Sequence, residues 1–186
     1  TKVEDATTQQ AMGEVAALAK QLSAYVAIGG LGEGEQVSYL RVWDRQGQEI
    51  YAQALYWPRG YPEIKVFDTD FGRVGSHECG DLYIPEFDRT LTLLGAEIII
   101  DASQMWGASG RTNETMLRAR AIDNGVWVAC AHWPTSDPSL RSLIIDPYGQ
   151  VMAASAFAEE GIISYDIPLD RPRVYYAGQK AQQATP

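Results

Sequence analysis

Cys79 is the side chain in this sequence best placed for nucleophilic chemistry, and the residues around it say why. Lys65–Phe67 reads as a short strand, Asp70-Phe71-Gly72 as a tight turn, and the residues after it as a second strand that ends at Cys79. A loop follows, and Pro85 opens a helix, where its missing N–H has no intrahelical partner to lose. The backbone N–H groups after a cysteine at such a strand end can face a developing oxyanion. A thiol with a pKa of about 8.5 still needs a base to become a thiolate near neutrality. His77 shares a strand face with Cys79, and Glu78 points the other way. Residues two apart on one face hold their Cβ atoms about 7 Å apart, which is long for a direct proton transfer from Cys79 to His77. A second reading stands beside the nucleophile: a small apolar core residue that happens to end a strand.

The elements that must position Cys79 can be read on either side of it. Ala11–Ala24 carries Val15, Leu18, Ala19 and Leu22 at helical spacing, with Thr7 or Thr8 available as cap. Tyr25–Gly29 reads as a short buried strand. Val37–Trp43 and Glu49–Tyr56 form a hairpin across Asp44-Arg45-Gln46-Gly47. Glu86–Leu94 is a helix stopped by Gly95, Glu97–Asp101 a strand apolar on both faces, and Thr112–Asn124 a helix stopped by Gly125. Val126–Cys130 is a buried strand, and Ser142–Ile145 and Val151–Ala154 pair across Asp146-Pro147-Tyr148-Gly149. Gly161–Ile167 is read as a last strand. Strands alternating with helices between antiparallel hairpins predict an α/β sandwich with mixed sheets, and too few βα units for a barrel.

Bulk properties narrow the function. The 186 residues are 46% hydrophobic, enough for one core-bearing domain, residues 1–186, with a Gln- and Ala-rich tail over residues 178–186. A net charge of −9 argues against nucleic acid and anionic membrane as partners. Two cysteines and two histidines at these spacings give neither a disulfide framework nor a zinc motif, so no metal and no cofactor are expected. A polar N-terminus and no long apolar run predict a cytoplasmic protein.

FDTDFGRVG, then EC, D and PE, then LLGAEIII, RARAIDNGVWVACAH, IIDPYGQVMA and GIISYDI together resemble the carbon–nitrogen hydrolase (nitrilase) superfamily in order and spacing. The resemblance implies a nitrilase-type α-β-β-α sandwich and hydrolysis of an amide, N-carbamoyl compound or nitrile through a covalent cysteine acyl intermediate. It puts Cys79 at the nucleophile's place and the Gly80 backbone N–H at the oxyanion. It also implies a small-molecule substrate, and the C-terminal segment of relatives suggests a homo-oligomer.

The same resemblance exposes departures. The family's lysine follows a tyrosine by two, and here Tyr51-Ala52-Gln53 puts Gln53 at its place. The nearest lysine, Lys65, reads as a solvated edge charge. The family's general-base glutamate lies on an early strand that this chain is expected to lack, so the domain reads as N-terminally truncated. Ser76-His77-Glu78 stands where the family is normally apolar. The alternative function is therefore a catalytically inactive nitrilase-fold binding or assembly subunit. Tyr83 and Trp106 are candidates for the substrate pocket, with packing as their alternative. Arg120 and Asn124 share a helix face for structural hydrogen bonds; Cys130 reads as inert core, and His132 is given no chemistry.

Overall fold

Four layers stack in the order helix, sheet, sheet, helix. The computed structural model describes residues 6–30, 38–55, 63–103, 110–133, 140–156 and 159–168. Helix α1 (Ala6–Leu22) covers a three-stranded antiparallel sheet of β1 (Val26–Ile28), β2 (Tyr39–Trp43) and β3 (Glu49–Ala54). The second sheet has six strands, β4 (Val66–Thr69), β5 (Gly72–His77), β6 (Ile98–Ser103), β7 (Trp127–His132), β8 (Leu143–Ile145) and β9 (Val151–Ala154), in that spatial order. Its centre, β5-β6-β7, is parallel, and its flanks are antiparallel. Helices α2 (Pro85–Leu93) and α3 (Gly110–Asn124) supply the crossovers. Among the described residues no helix is long and apolar enough to cross a membrane.

Two apolar cores hold the layers together. Leu82, Phe87, Leu91, Ile99, Leu117 and Val128 fill the space between the large sheet and its helices. Leu40, Val42, Tyr51, Phe67, Val74, Ile98 and Trp127 fill the space between the sheets. Truncating any one fully buried leucine here costs about 2–5 kcal/mol. The β2–β3 and β8–β9 hairpins turn on the same device. Asp44 Oδ1 accepts the N–H groups of Gln46 and Gln48, each at 2.9 Å. Asp146 Oδ1 does the same for Tyr148 and Gln150.

Several expectations need correction. Helix α1 starts at Ala6, so Thr7 and Thr8 lie inside it rather than capping it. Its inward stripe is Met12, Val15, Ala16 and Ala19, while Leu18 and Leu22 are exposed. The reason is proximity: Gly47 of the hairpin turn sits so close that a Cβ there would lie 2.4 Å from the Ala16 carbonyl oxygen. Strand β1 is a half-buried edge, not a buried strand. The second strand of the opening hairpin stops at His77 rather than Cys79. Residues 161–167 form no strand; Tyr165 instead stacks on Trp127 with ring centres 5.7 Å apart. Trp106 and residues 178–186 lie outside the described residues.

Candidate active site

Strand β5 deals its side chains alternately to the two cores. Val74 and Ser76 face the other sheet, where Ser76 Oγ donates to the Tyr51 hydroxyl at 3.0 Å. Gly75 and His77 face α2. A Cβ on Gly75 would lie 3.0 Å from Leu91 Cδ2, so the glycine lets α2 settle close to the sheet.

The chain then turns sharply. Cys79 has φ +51, in the left-handed region, and begins a 3-10 turn (Cys79–Tyr83) that leads to Pro85 at the start of α2. A non-glycine residue there costs on the order of 1–2 kcal/mol, which the surrounding structure must impose. The first hydrogen bond of the turn runs from Asp81 N to Glu78 O at 3.1 Å, so the Gly80 N–H lies ahead of the turn's own bonding. Asp81 Oδ2 accepts the Glu78 N–H at 3.3 Å and fixes the turn's entry. Cys79 is half-buried and outside any disulfide. Tyr83, at the end of the turn, is half-exposed.

Glu78 is buried on the inter-sheet side. Its Oε1 accepts the Ser38 hydroxyl and the Gly30 N–H, the latter at 2.9 Å, and its Oε2 is buried with no hydrogen-bond partner among the described residues. Burial pushes the Glu78 carboxyl up to about 7, against the two hydrogen bonds, which pull it down. Gln53 is buried as well, with its amide committed: Nε2 donates to Ala54 O and Oε1 accepts the Lys65 N–H, both at 3.2 Å. Lys65 itself is half-exposed and ion-paired with Glu63 at 3.8 Å.

Behind this turn lies a buried polar row that no linear spacing announces. Register places His77, Asp101 and Cys130 side by side on β5, β6 and β7. His77 Nδ1 is 2.6 Å from Asp88 Oδ1 of α2, and His77 Nε2 is 3.8 Å from Asp101 Oδ2, an ion pair longer than a hydrogen bond. Arg120 Nε closes on Asp88 at 3.4 Å while its Nη2 donates to the Leu82 carbonyl at 2.8 Å. Burial lowers the His77 pKa, but Asp88 and Asp101 on either side outweigh it and hold the imidazole charged, well above its ordinary range. Burial likewise raises Asp101, and the His77 charge more than reverses that. Burial and then Asp101 push the Cys130 thiol well up. Cys130 is thus the inert thiol of the pair. Asn124 Nδ2 donates to Arg120 O at 2.9 Å, a structural bond of the kind expected.

The structure therefore brings Glu78, Cys79 and Gly80 into one turn and leaves Gln53 engaged with backbone in β3. The sequence reading missed both the environment of Glu78 and the His77 row. The signal was present in the unusual polarity of Ser76-His77-Glu78.

Comparison with known proteins fits this architecture. The sequence pattern described as Carbon-nitrogen hydrolase matches residues 4–176. The 2-oxoglutaramate amidase of Bacillus subtilis is 32% identical over 126 residues, 65% of this chain and 48% of that protein. The deaminated glutathione amidase of Rattus norvegicus is 32% identical over 114 residues, 58% of this chain and 35% of that protein. The chain thus matches less than half the length of these relatives. A solved structure of a mutant amidase from Nesterenkonia sp. AN1, with acrylamide added at its active-site cysteine, superposes with a TM-score of 0.75 at 21% identity, over 88% of this chain and 70% of that one. The pattern match runs over nearly the whole sequence and the layered fold is shared: the chain belongs to the carbon-nitrogen hydrolase family.

Proposed function

We propose that this protein cleaves the C–N bond of a small amide, with Cys79 as nucleophile and Glu78 as the proton-transfer group. The observation that carries the reading is the left-handed backbone at Cys79, a strained strand-to-turn junction of the sort that presents a nucleophile. Glu78 takes the part of the base because it directly precedes Cys79 in the chain and burial lifts its carboxyl to about 7, where one group can both accept and return a proton. In this scheme Glu78 takes the thiol proton and the thiolate attacks the amide carbonyl carbon. The Gly80 N–H donates to the oxyanion. The C–N bond breaks as Glu78 protonates the leaving nitrogen, and a thioester remains on Cys79. Water then attacks the thioester, giving its proton to Glu78, and the acid leaves as the thiol is restored. The relatives named as amidases support an amide substrate.

The engaged amide of Gln53 favours the second reading, a family member without turnover, because no cation stands at that position for the oxyanion. Two measurements separate the readings. Short aliphatic amides should release ammonia with the native chain and none with Cys79→Ala. Iodoacetamide should alkylate Cys79 at least 10-fold faster than buried Cys130, along a pH profile centred below 8.5. Alkylation of Cys79 at an ordinary thiol's rate, with no ammonia released, leaves the non-catalytic reading.

A further inference from the structure

We propose that Arg120 is a positioning residue for Cys79. Through Asp88 and the Leu82 carbonyl it holds the turn that carries the thiol in its left-handed form. The proposal rests on the reading of Cys79 as the nucleophile, and it names what keeps that nucleophile in place.

Arg120 stands where the helix pattern calls for an apolar side chain. Leu117, Arg120 and Ala121 share one face of α3, and all three are buried. A guanidinium on such a face is costly unless it is paired and hydrogen-bonded. Its Nε lies 3.4 Å from Asp88 Oδ2, and its Nη2 donates to the Leu82 carbonyl at 2.8 Å. The other Asp88 oxygen, Oδ1, accepts the His77 Nδ1–H at 2.6 Å.

These contacts grip the chain on both sides of Cys79. His77 ends β5 two residues before it, and Leu82 lies three residues after it, inside the 3-10 turn. Asp88 stands in the first turn of α2, the helix into which that turn leads. One carboxylate and one guanidinium thus link the strand end, the turn and two helices. The guanidinium is a rigid planar fork, so it fixes its two acceptors relative to each other. The turn's own bonds, Asp81 N to Glu78 O and Glu78 N to Asp81 Oδ2, close inside that grip. A residue other than glycine at φ +51 persists only where its surroundings over-determine it. The brace supplies that constraint, and with it the placing of the thiol beside the Gly80 N–H.

The test is a double-mutant cycle in urea unfolding of the full chain: native, Arg120→Met, Cys79→Gly and both together. With the brace in place, Cys79→Gly relieves strain and should raise the urea midpoint. In Arg120→Met the turn has already relaxed, so the same glycine should bring no rise. Should Arg120→Met fail to fold, Asp88→Asn, whose amide keeps one acceptor oxygen of the two, gives the same cycle. Iodoacetamide should also alkylate Cys79 roughly 10-fold or more slowly in Arg120→Met. Val42→Ala, a cavity in the core between the sheets, should leave that rate unchanged while lowering the midpoint. An equal rise with glycine in both backgrounds, or an equal loss of rate in Val42→Ala, would overturn the proposal. The cycle needs no turnover. A chain that releases no ammonia removes the proposed function and leaves the coupling standing, whereas an additive cycle removes the brace alone.

Discussion

The imidazole of His77 and the carboxylate of Asp88 meet at 2.6 Å with neither side chain reaching solvent, which makes this pair the buried ionic centre under the Cys79 turn. Removing one partner of such a pair strands the other's charge in the core. Asp88→Ala should therefore destabilise the protein by about 3–5 kcal/mol in urea or thermal unfolding. His77→Leu with Asp88→Leu should cost less than the sum of the single changes, because the paired charges disappear together. A strictly additive pair would show that the contact carries no coupling.

Glu78 makes stability depend on pH in a direction opposite to that of most carboxylates. Its ordinary pKa of 4.5 rises to about 7 in the fold, so between these values the folded chain holds a proton the unfolded chain has lost. Stability is then undiminished below pH 4.5 and falls as pH rises to 7. Glu78→Gln removes the titration. Relative to the native chain, the variant should gain roughly 2–3 kcal/mol between pH 5 and 8, seen as a growing difference in urea midpoint. A constant difference across that range would refute the shifted carboxyl.

Gln53→Lys tests whether the family's cation can be restored. The change takes away the acceptor of the Lys65 N–H and should lower stability by about 1–3 kcal/mol. If Cys79 is the nucleophile, the same variant should raise ammonia release from short amides at least 10-fold, since a charged donor at the oxyanion is worth about 2.7–4 kcal/mol. Loss of stability with no gain in turnover would mean that position 53 does not face the reacting carbonyl.

Much of the frame was legible in the linear sequence for a physical reason. Apolar runs such as Ile98-Ile99-Ile100 belong to strands covered on both faces, and Asp-x-x-Gly turns carry their own hydrogen-bond instructions. What was not legible depends on which strand lies beside which. His77, Asp101 and Cys130 are far apart in sequence and become neighbours only through the parallel register. Asp88 joins them from a helix, at a depth set by Gly75 against Leu91. The position of Cys79 was readable from the motif, but its left-handed backbone was not, because cysteine carries no local preference for it. The inward face of α1 was misread because leucines outrank alanines in hydrophobicity, whereas the hairpin turn at Gly47 comes in close over Ala16.

The φ of +51 at Cys79 also sets a thermodynamic slope at that one position. Glycine adopts this conformation without the steric cost a Cβ brings, so Cys79→Gly relaxes the backbone even as it deletes the sulfur. Allowing for glycine's extra freedom in the unfolded chain, the gain is on the order of 1 kcal/mol. A random search for sturdier variants of this protein would tend to find glycine here and lose its thiol in the same step. Screens for stabilised forms should therefore hold residue 79 fixed and look for robustness elsewhere.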